Sequence, residues 1–410
     1  MSYVQGAKQY GLAAANSDIP PSWGSSSLPR PIPSSVQIVN LASQSGNQGA
    51  GGLIAFQIPT GAAAGGYLKP NSLYLRGTCT IAGAGGAAVK FALPTASASA
   101  LINRMTCSIG GQIVSQLNNY HVLHDMLLLH NTSSGYFTTD SAILELTGVA
   151  APFGATNAAA ANFVIPVINP LFNSDKAVPL FLLNAPIQVN FDLNNIANAF
   201  KGAAADVTSF TLSNMQLVYE VANVDANYVN DVKSTLAAGN AYQINLKDFF
   251  TLQTASVNGL NYQIGCNFSS VRGVLYTSTN LAPAVTADNV LVANGQSNFR
   301  VLMDGRLINN FALDTVAVQF AEMNRTLSNM FDANVTSNCT YAEYTASRFL
   351  GGLSTNRCSD VMAMTGTQAM AINLIFDNAG GGYNASTVNI VLLYDQIFTI
   401  DVNGNIVLVK

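Results

Sequence analysis

The sequence predicts an all-β protein of two tandem eight-stranded jelly rolls, each with one inserted helix. Three observations carry this reading. Short runs with period-two hydrophobic alternation recur along the chain, as in Ser72–Ala82 and Ile187–Leu193. Glycine, proline and Asn-Gly turn signals separate these runs at short intervals, the grammar of a sandwich. One strand–turn–helix unit occurs once in each half. The first copy is Leu101–Asn131 and the second is Asn298–Phe331. Each places an arginine in a strand-like run, Arg104 and Arg300. Each then has a glycine turn, Gly110-Gly111 or Asp304-Gly305, and each runs into the only long helical pattern of its half.

Residues 1–35 read as an extended arm. Pro20, Pro21, Pro29, Pro31 and Pro33 exclude a regular element, and Tyr3, Tyr10, Leu12 and Trp23 are spaced along it as anchors. The first roll is read over 36–222. Its strand candidates are Val36–Leu41, Leu53–Ile58, Ser72–Ala82 and Ala100–Ile109, then Asn162–Phe172, Ile187–Leu193 and Thr208–Val221. Its helix is expected over Val114–His130, with Leu117, Tyr120, His121, His124, Leu127 and Leu128 on one buried face. Residues 140–162 read as an Ala-rich loop. Residues 223–240 carry more charge than their surroundings, end in Gly239-Asn240, and read as the linker.

The second roll is read over 241–410. Its strand candidates are Ala241–Leu252, Asn261–Phe268, Ser270–Thr277, Phe299–Met303, Ala342–Leu350, Met370–Phe376 and Val388–Tyr394. Its helix is expected from the N-cap candidate Asp314 to Phe331, with Val316, Phe320, Met323 and Leu327 on the apolar face. A C-terminal hairpin, Gln396–Val402 with Asn405–Val409, is expected to turn on Asn403-Gly404, the pair favoured in type I′ turns.

Composition narrows the function. Charged residues are 9% of the chain, against about 25% in an ordinary soluble domain. So few charges protect a free monomer poorly against association, which points to a surface buried in a permanent oligomer. Net charge is −4 and there is no Lys/Arg run, so direct nucleic-acid binding and a polybasic lipid contact are not expected. The N-terminus shows no signal-peptide pattern, and no apolar run is long enough to span a bilayer. Five cysteines without a CxxC argue against zinc ribbons and redox motifs, and Cys79 and Cys107 read as buried thiols within strands.

Candidate chemistry is sparse. His121 and His124, with Asp125 beside them and His130 further on, have a spacing that could present two imidazoles to a metal. The same positions lie on the helix's apolar face, so packed, hydrogen-bonded histidines are the preferred reading. The glycine run at Gly83–Gly86 precedes no helix and fails as a dinucleotide fingerprint. Asp401–Asn405 lacks the distal Glu of a calcium loop and reads as a hairpin turn. Asn334-Val335-Thr336 is a sequon of the kind chance supplies in an Asn- and Thr-rich chain. Arg104 and Arg300 need carboxylates or carbonyls as partners. An ion pair within each roll is preferred to a contact between subunits. No catalytic, cofactor-binding or metal residue is assigned, and the chain is not read as an enzyme.

In the order of its segments the chain resembles the double jelly-roll major capsid proteins of the bacteriophage PRD1 and adenovirus lineage, with relatives in virophages and polinton-like viruses. The segments that carry this are the strand leading to Gly110-Gly111 and the helix after it, then Ile165-Pro166 with Asn169-Pro170-Leu171-Phe172. Pro179 and Pro186 before IQVNFDL follow, then TLSNMQLVYEVANVD, YVNDV and the restart at AYQINLKDF. The likeness covers roughly 36–402, and the scarce charge and Ala/Gly-rich loops depart from many relatives. It implies a coat protein forming pseudo-hexagonal homotrimers that tile an icosahedral virion shell. It also implies penton and minor capsid proteins as partners, an internal membrane in many relatives, and synthesis in the host cytoplasm. A β-sandwich receptor- or glycan-binding fibre protein is the alternative; the single Trp23 lies in the arm, which counts against sugar stacking. A metal enzyme of cupin type would need more ligands than three histidines on one helix.

Overall fold

In the computed structural model the described residues are 34–61, 64–83, 89–92, 97–131, 160–201, 207–239, 241–255, 261–280, 291–293, 296–309, 313–331, 337–355, 366–378 and 386–410. The expected arm therefore lies outside them up to residue 33, as does the Ala-rich loop up to 159.

The first set of strands is β1 (Ser34–Ala42), β2 (Leu53–Ile58), β3 (Gly66–Leu68), β4 (Tyr74–Ala82), β5 (Ile102–Ile109), β6 (Gln112–Asn118), β7 (Ala160–Pro166), β8 (Ile187–Leu193) and β9 (Ser209–Val224). They form two antiparallel sheets. One has the order β1-β9-β4-β7, with β3 also on β9; the other has the order β2-β8-β5-β6. Alternation decides the faces. In β8, Ile187, Val189, Phe191 and Leu193 are buried, while Gln188 is exposed and Asn190 and Asp192 are half-buried. The first strand pairs over its whole length with the second half of the last, Ser34 opposite Val224 to Ala42 opposite Gln216.

The second set is β10 (Tyr242–Ala255), β11 (Asn261–Asn280), β12 (Gln296–Met303), β13 (Gly351–Ser354), β14 (Thr367–Asn378), β15 (Ser386–Ile400) and β16 (Ile406–Val409). Here the first strand again pairs with the long penultimate one, Tyr242 opposite Ile400 to Ala255 opposite Thr387. The segments read as Asn261–Phe268 and Ser270–Thr277 are the two halves of the 20-residue β11. Its first half pairs with β14 and its second half with β15 and β13. The register shifts between Gly265 and Gly273 mark the corner where one strand passes between sheets.

Counting the halves of β11 separately, the second set repeats the first strand for strand. The order β10-β15-β11-β13 matches β1-β9-β4-β7. The order β11-β14-β12, continued by the short pair Arg306–Leu307, matches β2-β8-β5-β6. Two eight-stranded rolls of one topology are thus present.

The repeated turn is the same at backbone level. Gly110 and Gly111 have φ of 59° and 85°, and Asp304 and Gly305 have 48° and 78°. Both central residues are left-handed, as a two-residue type I′ hairpin requires, and the flanking pairs Ile109/Gln112 and Met303/Arg306 close it.

Besides a single helical turn at Ile196–Ala199, the described helices are α1 (Tyr120–Asn131), α2 (Ala226–Ala237), α3 (Val316–Phe331) and α4 (Tyr341–Ala346). Each roll carries its helix at the same place, after the type I′ hairpin and the strand behind it. Several expectations are corrected. The stretch Val114–Asn118, including Leu117, is strand, because it completes the hairpin with β5. Residues 120–130 are buried on every side rather than on one face. Thr315, not Asp314, caps α3, its Oγ1 accepting the Val318 N–H at 3.3 Å. Ala342–Leu350 is no strand: Thr340 and Glu343 form a capping box that starts α4, so the second roll has two inserted helices. The linker 223–240 is largely α2, with Val229 and Val232 packed against the core and Leu236 buried. In the C-terminal hairpin only Gly404 is left-handed; the Gly404 N–H bonds to Asp401 O, making a type I turn with a glycine bulge rather than type I′.

The two hairpin glycines should not tolerate branched side chains. Gly111→Val and Gly305→Val should each lose about 1–2 kcal/mol, the cost of the left-handed backbone. Gly46→Ala should be neutral, since nothing lies within 4 Å of its added Cβ. Thermal unfolding of the three variants checks this.

Candidate functional site at the seam between the two rolls

The two rolls share one continuous apolar core cluster, yet a polar seam joins them. The edge strand β10 of the second roll lies against the edge strand β6 of the first. Asp248 on β10 is fully buried there. It accepts hydrogen bonds from Ser115 Oγ at 2.8 Å, Tyr394 OH at 2.6 Å and its neighbour's Phe249 N–H at 2.8 Å. Burial pushes its carboxyl above the usual carboxylate range, against the pull of these three donors. Thr251 Oγ1 donates to Asn118 O at 2.5 Å, so β10 is tied to β6 at two positions, Asp248 and Thr251.

Further contacts run along the seam. Lys176 Nζ donates to Gln243 O at 3.0 Å, and Tyr242 OH donates to Ala177 O at 2.9 Å. Asn184 Nδ2 donates to Asn405 Oδ1 at 2.9 Å. At that turn a Cβ on Gly404 would sit 2.3 Å from Leu182 O, so the hairpin reaches the first roll only as glycine.

Helix α1 crosses the seam at its C-terminal end. His130 Nδ1 lies 2.8 Å from Ser337 Oγ, and His130 O accepts the Asn338 N–H at 3.1 Å. His124 Nε2 donates to Pro166 O at 3.1 Å, and the His121 ring bonds the Ile102 backbone. The three histidines are therefore packed and hydrogen-bonded, and among the described residues no group of three His, Cys, Asp or Glu could hold a metal. Burial lowers His121 and His130 to about 4; at His130 a hydrogen bond to the Arg348 backbone opposes this, and the Arg348 charge lowers it a little further.

Arg104 pairs with Asp192 of its own roll, at the surface. Arg300 is half-buried in β12, opposite Ile375 of the same roll. The arginine that matters most to packing was not singled out from sequence. Arg272, fully buried at the corner of β11, pairs with the fully buried Asp395 at 2.6 Å, and Ser270 Oγ donates to the same carboxylate at 2.5 Å. The available signal was a single charge inside the apolar run SSVRGVLY. Asp248 gives a weaker signal of the same kind, an acidic residue beside Lys247 within INLKDFF. Cys79 and Cys107 are buried as expected, and burial pushes both thiols up.

The sequence matches no protein-family model and no curated protein. Solved structures do match over nearly the whole length. PBCV-1 VP54, as fitted into a reconstruction of the virophage Sputnik, is similar with a TM-score of 0.64 at 14% identity, covering 95% of this chain and 99% of its own. The Faustovirus major capsid protein gives 0.61 at 10% identity, with coverage of 94% and 92%. The Sputnik virophage structure gives 0.58 at 11% identity, with coverage of 94% and 90%. This chain has the double jelly-roll fold.

A double jelly roll needs its two sandwiches held in one orientation, and the Asp248 network is placed to do so. Asp248→Ala strands three donors and should cost ~1–3 kcal/mol for each one left without an acceptor. Asp248→Asn keeps an acceptor and removes the buried charge, so its unfolding temperature should lie much nearer that of the parent.

The histidines give the double jelly roll an acid limit. Their folded values sit below the ordinary one near 6.5. Their share of stability is therefore present above pH 6.5 and lost as pH falls towards 4, on the order of 3 kcal/mol per group. His130→Gln, which can still bond Ser337, should flatten the dependence of stability on pH in that window. An unchanged slope would remove His130 from the account.

Proposed function

We propose that this chain is a major capsid protein, a coat subunit of an icosahedral virion that assembles as a pseudo-hexagonal homotrimer. The observation that carries the proposal is the strand-for-strand equivalence of two rolls locked side by side by a buried seam. Three such subunits around a threefold axis present six near-equivalent towers, which pack as hexagons while the ring is closed by only three chains. The rolls we assign are 36–222 and 241–410, with 223–240 as the connecting segment and 1–35 as an arm towards neighbouring subunits.

The structural relatives support this reading: the Faustovirus structure is of a major capsid protein, and another similar structure is a model of the PBCV-1 virus capsid. The sparse charge also fits a surface that is covered for most of the protein's life. The role is structural rather than catalytic, located in the virion after synthesis in the host cytoplasm. Its partners are further copies of itself, penton and minor capsid proteins, and a membrane beneath the shell where one is present. No helix among the described residues is long and apolar enough to cross that membrane. Genome contact is not part of the proposal.

Light scattering on the purified protein tests this. A trimer that survives dilution to nanomolar, or larger shells built from it, is the expected result. A monomer at micromolar concentration contradicts it, and a monomer that binds glycans would favour the fibre alternative.

A further inference from the structure

Strands β9, β4 and β7 lie side by side in the first roll, and on the outer face of their sheet they line a groove of about 360 Å³. A β-bulge lies at its rim. Ser213 pairs with Thr78 and Gln216 with Arg76, so Asn214 and Met215 both oppose Gly77. Met215 is buried in space that Gly77 leaves vacant: a Cβ on Gly77 would collide with Met215 Sδ. Asn214 is turned outward and exposed, with a left-handed φ of 52°. The bulge does not end the strand, since β9 runs on to Val224. A left-handed residue other than glycine, kept inside a continuing strand, is a local cost that points to a use.

The hydrogen bonds within the groove are one-sided. Arg76 donates to Gln216 Oε1 through Nε, at 2.8 Å, and through Nη2. Thr78 Oγ1 donates to Asn162 Oδ1 at 2.7 Å. Both amide oxygens are thus turned to the protein's own donors, and the amide N–H groups of Asn162 and Gln216 are left to the groove. With Arg76 Nη1 they make a surface of donors around one positive charge. Among the described residues Arg76 has no carboxylate partner. Strands β4 and β7 carry no acid, and the single acid of β9, Glu220, is held by Lys69 at 2.6 Å.

We propose that this groove binds an acidic sugar, a single ring that bears a carboxylate among its hydroxyls. A carboxylate takes two parallel N–H bonds from a guanidinium edge, and Arg76 keeps its Nη1/Nη2 edge for one. One cation matches one negative charge, whereas a phosphate monoester carries nearly two. The amide N–H groups of Asn162 and Gln216 meet the hydroxyl and ring oxygens. Val164, opposite Arg76, gives the ring's C–H groups a small apolar patch. The volume is at the lower end for small-molecule sites, room for one ring rather than a length of peptide. Charge and hydrogen bonds hold the ring, so no exposed tryptophan is needed. The site lies within one roll and is independent of the coat reading.

Ligand titration on the full chain, read by saturation-transfer NMR, tests this. Sodium glucuronate and N-acetylneuraminate are the probes, with glucose, acetate, inorganic phosphate and a triglutamate peptide beside them. At least one of the two acids should bind saturably, with a Kd on the order of millimolar for a ligand of this size. Arg76→Gln should weaken that binding about ten- to a hundredfold, the worth of its charged hydrogen bonds. Asn162→Asp, which meets the acid with like charge, should weaken it too. Arg104→Gln, on the other sheet, should leave it unchanged. All three positions are exposed, and unfolding temperatures check that the variants fold. Methyl glycosides of the acids separate the two sources: binding retained assigns the groove to the end sugar of a glycan, binding lost to the free acid, and each supports the proposal. Binding that survives Arg76→Gln overturns it. So does acetate, phosphate or peptide binding as tightly as the sugar acids, or no saturable binding of either acid. None of these results bears on the trimer, which light scattering reads separately.

Discussion

The buried carboxylate of Asp248 is the interaction on which the shape of the molecule depends. A sandwich can fold without a neighbour, and two sandwiches on one chain can sit at any angle that their linker allows. Here one side chain is shared between β6 and the second roll's own Tyr394, inside a region from which water is excluded. Breaking it strands donors on both sides, so the rolls cannot slide or rotate a little at small cost. Apolar burial supplies most of the attraction, but it is non-directional; the hydrogen bonds of Asp248, Thr251 and Asn184 set the register. The coat role proposed above needs that fixed register more than it needs extra stability.

The second roll solves a similar problem at its corner. Strand β11 passes between sheets, and its bulges leave backbone and side chains turned inward. Arg272 fills that corner and is neutralised by Asp395, with Ser270 completing the carboxylate's shell. The first roll needs no such pin, because separate strands, β2 and β4, serve its two sheets. One topology is thus held together by two different local means, which is how two copies can diverge in sequence and keep one shape.

Much of this was legible before any coordinates. Period two found most strands, and IQVNFDL was delimited to the residue. The repeated glycine turn pointed to the duplication, and both copies share one left-handed geometry. What escaped was set by tertiary contact. Leu117 fits a helical stripe by spacing, but the hairpin with β5 takes it as strand. The stretch after Thr340 is apolar enough for a strand, and only its capping box marks a helix. The seam and the buried corner were invisible because Asp248 and Arg272 are isolated polar positions in largely apolar runs, and spacing says nothing about which distant residue will meet them. The histidines were read correctly as packed, since a helix buried on every side leaves them only backbone and hydroxyl partners.

The central claim is that two equivalent sandwiches, joined by a buried seam, form one rigid unit, the unit from which the proposed hexagonal trimer would be built. Electron micrographs of the isolated oligomer, averaged in end-on view, test it most directly. The account predicts six lobes of alternating character with threefold symmetry. Two lobes, or a ring in which like rolls face each other, would contradict it.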